Sequence, residues 1–278
     1  MLTHTFCHVA GIGPALERRL WGAGVETWQA ADLAAALPLP TSRGQALRTA
    51  LQESAQELAS GNARYFGDRL AARELWRLLP HFASRAAYLD IETTGLGGPG
   101  DIVTTAVLYD GRAIHSFVRG RNLDDLGPCV AQYELLVTYN GACFDLPFLR
   151  NCLGLPLTQA HIDLRYVLGS LGYRGGLKGC ERQLGLGRGD LADVDGFFAV
   201  LLWREFQSSR DPRVLETLLA YNTLDVVHLE RLAVLAYNRK LEATPFPELC
   251  LPLPPMPGNP FVAHSAVVER VKRKYCWR

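Results

Sequence analysis

An acidic pair sits inside an apolar, strand-like run: Ala86-Ala87-Tyr88-Leu89-Asp90-Ile91-Glu92-Thr93-Thr94-Gly95. Ala86–Ile91 reads as a short strand, and residues two apart on a strand project from one face. A strand that turns two carboxylates to the same side restricts the folds open to the chain, because an ionised carboxylate is costly to bury. In isolation an Asp-x-Glu pair is ordinarily a salt-bridged strand end. Here the Thr93-Thr94-Gly95 turn follows at once, and strand ends are where sites tend to be built.

Two further segments repeat the anomaly. Tyr139-Asn140-Gly141-Ala142-Cys143-Phe144-Asp145 follows the compact apolar run Leu135–Tyr139. Asp145 falls at the start of a helix reading to Leu153, where an Asp is also a favoured cap. Tyr221-Asn222-Thr223-Leu224-Asp225 lies inside the helical pattern Val214–Tyr237. Tyr221 and Asp225 are four apart and share a helical face. Leu224, Val226 and Val227 surround Asp225, which is not how a surface acid is placed.

Divalent cations give all four carboxylates a common reason to be tolerated, because hard oxygen ligands hold such ions well. Two cations roughly 4 Å apart activate water and stabilise the leaving oxygen of a phosphodiester. The expectation is a metal-dependent nuclease, with the Tyr221 phenol reaching a water or a phosphate oxygen.

These residues resemble the DEDD (DnaQ-like) exonucleases of the ribonuclease H-like superfamily, and within it the YprB-like group. Asp90-x-Glu92 is similar to their first motif, Asn140-x-x-x-x-Asp145 to the second, and Tyr221-x-x-x-Asp225 to the third in its tyrosine form. The resemblance spans about residues 84–240. It implies an α/β fold with a mixed five-stranded sheet flanked by helices. It also implies Asp90, Glu92, Asp145 and Asp225 as ligands of two Mg²⁺ or Mn²⁺ ions, with Tyr221 orienting the attacking water. The implied activity is 3′-to-5′ removal of nucleotides from single-stranded ends. A non-catalytic nucleic-acid-binding module and a structure-specific endonuclease are the rivals, and DNA and RNA both stay open as substrates.

The surrounding pattern suits a mixed layer fold. Ile102–Tyr109 and Ala113–Val118 flank Asp110-Gly111, a strong hairpin signal. Residues 161–186 read as two helical pieces split by Gly175-Gly176. Phe197–Phe206 and Val214–Tyr237 read as the clearest late helices. Asp163, in His161-Ile162-Asp163-Leu164, reads as a structural or substrate-channel residue, or a helix cap. The expected division is a helical N-terminal region (1–82), a ribonuclease H-like exonuclease domain (83–240), and a proline-rich then basic tail (241–278).

The opening Gly11-Ile12-Gly13-Pro14, with Leu16, Leu20 and Trp21 behind it and Gly24-Val25 after, resembles a helix-hairpin-helix unit. Such a turn offers backbone N–H groups to phosphate, although a glycine turn packed on the main domain fits as well. Only ten residues precede Gly11, too few for a full first helix. Residues 28–82 read as helical, with periodicity near 43–60 and 67–79 and interruption at Pro38 and Pro40. Gly11, Gly13, Thr93, Asn140 and Lys178 are candidate nucleic-acid contacts. Lys178, Arg182 and Arg188 are candidates for lining a strand groove, and Lys272, Arg273 and Lys274 for touching phosphate. His228 reads as a helix-surface residue, and Trp21, Trp28, Trp76 and Trp203 as core.

Composition adds bounds. A net charge of +1 makes the chain no general polyanion binder, although local basic strips and bound cations still admit nucleic acid. The seven cysteines form no C-x-x-C pair, and no secretory apolar stretch opens the sequence. The expectation is a reduced, cytoplasmic protein with no zinc site, no membrane span and no small-molecule cofactor.

Overall fold

The computed structural model describes residues 1–29, 41–189, 194 and 196–275. Pro38, Pro40, Cys276 and Arg278 lie outside the described residues. In chain order the principal elements begin with α1 (Pro14–Gly22), α2 (Thr41–Ala59) and α3 (Ala63–Gly67). The sheet region holds β1 (Ala86–Thr93), β2 (Val103–Tyr109), β3 (Ile114–Val118), β4 (Leu135–Thr138), α4 (Asp145–Leu153) and β5 (Ala160–Asp163). Helices complete the chain: α5 (Leu164–Ser170), α6 (Gly176–Gln183), α7 (Gly196–Ser209), α8 (Pro212–Leu241) and α9 (Ser265–Lys274).

The strands form one mixed sheet in the order β3-β2-β1-β4-β5, flanked by helices, so the fold is α/β. β1 pairs antiparallel with β2 and parallel with β4. β2 and β3 form an antiparallel hairpin, and β4 and β5 pair in parallel. The hairpin turn follows from its residues: Gly111 takes φ 85°, and Asp110 Oδ1 accepts the N–H groups of Arg112 and Ala113 at 2.9 and 2.8 Å.

The period of two along β1 sorts its side chains. Ala87, Leu89 and Ile91 pack with Ala106, Leu108 and Leu136 under Leu146 and Leu149 of α4. Ala86 and Tyr88 lie in the other cluster, with Val107, Val137 and Ile162 and with Val226 and Leu229 of α8. Asp90 and Glu92 continue this second set, so they are directed to the side that α8 covers. Between Glu92 and Thr93 the register to β2 slips, Glu92 facing Thr105 and Thr93 facing Val103, so β1 leaves the sheet through a bulge just past its acids.

Leu2, Phe6, Leu20 and Phe66 of the N-terminal segment share one apolar cluster with Tyr88, Val137 and Tyr237. Gly13 caps α1, whose Pro14 supplies a first position that needs no N–H. A second cluster joins α7 (Phe198, Leu202, Phe206), α8 (Val214, Leu218) and α9 (Val267, Val271).

Three local expectations change. Residues 161–163, read as the start of a helix, form β5, with Ile162 paired opposite Val137. Four residues carry too little periodicity to separate strand from helix, and pairing with β4 decides it. Over 67–79 the chain makes a 3₁₀ turn, Ala72–Leu78, rather than an α-helix. In the basic tail, Lys274 pairs with Glu205 at 2.6 Å and Arg270 with Asp211 at 3.1 Å, so these two cations are engaged within the fold. No helix among the described residues is long and apolar enough to cross a membrane.

Candidate metal centre

Asp90 and Glu92 on β1 meet Asp225 on α8. One ligand oxygen from each lies within 4.8 Å of the others. Glu92 and Asp225 are buried and Asp90 is half-buried. Asp145, at the first turn of α4, lines the same cleft but stands outside this tight trio. Its Oδ1 accepts the Ile91 N–H at 3.1 Å, which fastens α4 to the strand between the two acids. Tyr221 lines the cleft one turn before Asp225 and is 2% exposed.

Helix α8 supplies more than its acid. Asn222 Nδ2 donates to Asp90 Oδ2 at 2.6 Å, and Asn222 Oδ1 accepts the Thr105 hydroxyl at 3.1 Å. This asparagine was legible as a polar residue in an apolar helix, yet its spacing alone assigned it no role. His228, read as a surface residue, is 2% exposed, and its Nδ1 lies 2.7 Å from Glu181 Oε1. The available signal was its position three residues past Asp225, on the same helical face. Arg188, read as a groove residue, is also buried: it pairs with Glu181 and through Nη2 with Asp225 Oδ1. Lys178 is half-buried, its Nζ 5.1 Å from the Tyr221 ring centroid, and Arg182 is exposed.

Among the candidate nucleic-acid contacts, Thr93 and Asn140 line the cleft. Thr93 Oγ1 donates to Gly95 O at 2.5 Å. Asn140 adopts a left-handed φ of 67°, and Asp163 holds the turn around it. Asp163 Oδ1 accepts the Asn140 N–H at 2.7 Å and Oδ2 accepts the Ala142 N–H at 3.1 Å. Asp163 also caps α5 through the Arg165 N–H at 3.0 Å, so it is structural. Gly11 and Gly13 are exposed in the N-terminal segment and do not line this cleft.

The electrostatics follow from burial. Burial pushes the Asp90 carboxyl well above the usual range, the charges of Asp145, Asp225 and Glu92 push it further, and the Asn222 bond opposes them. Glu92 is raised in the same way by burial, then by Asp225 and Asp145. Asp145 is raised to about 7, mainly by burial, against its backbone hydrogen bonds. Asp225 is raised by burial, with Arg188 opposing. Burial holds the Tyr221 phenol protonated far beyond neutral pH. A donor set made only of oxygens, whose members drive one another toward protonation, fits a hard divalent cation. Soft metals would ask for sulfur or nitrogen.

The cleft above the acids has a volume of about 1090 Å³. Exposed Arg165, Arg174 and Arg204 line it, as do Tyr166 and Phe197, which are 39% and 54% exposed. The arrangement is an acid-floored cleft with a cationic and aromatic rim, set where a central strand leaves a mixed sheet.

Together, fold and site define an α/β protein of the ribonuclease H-like class with a buried acidic cluster. The superfamily pattern matches residues 87–237, over half of the chain, and the protein belongs to the RNase_H superfamily. Its members are usually nucleases that use divalent metals. The chain is 30% identical over 167 residues to the uncharacterized protein YprB of Bacillus subtilis (strain 168). That match covers 51% of this chain and 39% of YprB, so the chain spans about two-fifths of that relative. It is also similar to the family B DNA polymerase from the hyperthermophilic archaeon Pyrobaculum calidifontis, at 19% identity and a TM-score of 0.43. That likeness covers 56% of this chain and 24% of the polymerase.

Proposed function

We propose that this protein is a two-metal-ion-dependent 3′-to-5′ exonuclease that hydrolyses phosphodiester bonds at single-stranded nucleic-acid ends. The observation that carries the proposal is the meeting of Asp90, Glu92 and Asp225 within 4.8 Å on the floor of an open cleft. Asp90, Glu92, Asp145 and Asp225 would hold Mg²⁺ or Mn²⁺. Bound there, the ions would supply Lewis acidity that activates water and stabilises charge on the departing oxygen.

The chain's own residues do the positioning. Asn222 fixes Asp90, the Ile91 N–H fixes Asp145, and Arg188 engages Asp225. Tyr221 keeps its proton, so its hydroxyl is a hydrogen-bond donor available to orient the attacking water. The exposed arginines at the rim suit backbone phosphate, and Tyr166 and Phe197 suit stacked bases.

Cleavage of 5′-labelled and 3′-labelled DNA and RNA strands with Mg²⁺ or Mn²⁺ tests the proposal. Stepwise loss of 3′ nucleotides is expected, with a covalently closed single-stranded circle left intact. Cutting of the circle would replace exonuclease with endonuclease. Binding without cleavage under either metal would replace nuclease with a binding module.

A further inference from the structure

Asp225 and His228 stand three residues apart on α8, and a buried chain of hydrogen-bonded side chains connects them. His228 Nδ1 meets Glu181 Oε1 at 2.7 Å. Glu181, on α6, takes Arg188 through Nε at 2.5 Å and Nη2 at 2.8 Å. Arg188 Nη2 then reaches Asp225 Oδ1 and closes the ring. Arg188, Glu181 and His228 are 9%, 0% and 2% exposed.

The partners of Arg188 are not equivalent. Glu181 binds it through two nitrogens and is itself secured by His228, whereas Asp225 is reached by Nη2 alone. Losing Asp225 would leave the bidentate pair whole, which is the stronger part of such an arrangement. Among the described residues Nη1 has no hydrogen-bond partner and is buried, so no described group satisfies that part of the guanidinium. A bridge serving packing alone would be expected to satisfy that donor. Asp225, meanwhile, belongs to the trio of acids.

We infer that Arg188 is a resident counter-cation of the acid cluster, seated on Glu181 and competing with a divalent cation for Asp225. It is a positioning residue that lowers the affinity of the centre for metal. Its charge neutralises part of the cluster when no ion is bound, and it repels an ion that enters. Glu181 acts in the opposite sense, drawing Arg188 away from Asp225 and adding negative charge nearby. The inference rests on the cation-site proposal above.

Mn²⁺ titration of the full chain by calorimetry, without substrate, tests it. Arg188→Met should bind Mn²⁺ roughly tenfold more tightly than wild type, because a buried like charge is removed. Arg188→Lys, which keeps the charge, should stay near wild type, and Glu181→Gln should bind more weakly. If Arg188→Met does not fold, adding it to Glu181→Gln removes both charges of the pair and should restore tighter binding than Glu181→Gln alone. Unchanged or weaker affinity on removing Arg188 would overturn the inference while leaving the cation site standing. Absence of Mn²⁺ binding in wild type and every variant would instead overturn the cation site, and the inference with it.

Discussion

Asn222 joins the first acid of β1 to the rest of the sheet through helix α8: it donates to Asp90 at 2.6 Å and accepts from Thr105 on β2 at 3.1 Å. The amide is 0% exposed, so bulk solvent does not compete for either partner. One side chain therefore sets where Asp90 sits relative to Asp225, three residues farther along the same helix.

Replacing Asn222 by Ala should leave Asp90 unsupported and the Thr105 hydroxyl buried without its acceptor. Groups that orient metal ligands typically affect metal affinity or activity by about 10- to 100-fold. A loss in that range is expected in both Mn²⁺ affinity and strand cleavage, with secondary structure unchanged by circular dichroism. Wild-type affinity in Asn222→Ala would show that the Asp90 contact is incidental.

The acids should make the metal-free protein sensitive to alkaline rather than acidic conditions. Asp145 is raised from the usual 3.8 to about 7, chiefly by burial. Between those values the unfolded chain has lost the proton and the native protein keeps it, so this group's contribution to stability falls as pH rises. The buried His8 and the half-buried His81 and His161, each lowered to about 4 by loss of solvent, act oppositely between pH 4 and 6.5. Comparing wild type with Asp145→Asn isolates the acid. The variant should melt higher at pH 8 without metal, and its advantage should vanish toward pH 4. An advantage that did not depend on pH would contradict the assignment.

Asp163 should matter for stability without binding metal. Its carboxylate accepts the N–H groups of Asn140, Ala142 and Arg165. Lost caps and unsatisfied backbone donors each carry a penalty of about 1–2 kcal/mol, so Asp163→Ala should lose about 2–4 kcal/mol in denaturant unfolding. Its Mn²⁺ affinity per folded molecule should change far less than that of Asp225→Ala. A greater loss of affinity in Asp163→Ala would make Asp163 part of the centre.

Gly141 lies in the same turn, where an added Cβ would overlap the Thr138 side chain. Thr138 Oγ1 also accepts the Gly141 N–H at 3.1 Å, so the two cannot separate without breaking the turn. Gly141→Ala should lower the melting temperature, and the Gly141→Ala/Thr138→Ala pair should recover part of the loss. No effect of the single change would mean that the turn is looser than its contacts suggest.

Much of the fold was legible because its signals are local and periodic. The short apolar run Ala86–Ile91, the Asp110-Gly111 turn and the long helix over Tyr221–Asp225 each announce themselves within a few residues. β5 did not, because a four-residue strand is fixed by its neighbour rather than by its own pattern. The acids were visible as charges in apolar settings, but Arg188 and Glu181 were not. They are seven residues apart, and only the fold brings them to His228 and Asp225. A basic residue scattered in sequence looks like solvated surface until a buried acid is found beside it.

Anomalous diffraction from crystals soaked in Mn²⁺ would locate any cation held by these carboxylates. Ion density is expected between Asp90, Glu92 and Asp225, with Asp145 beside it. Saturating Mn²⁺ with no ion at these carboxylates, or ions only at surface sites elsewhere, would contradict the cation site.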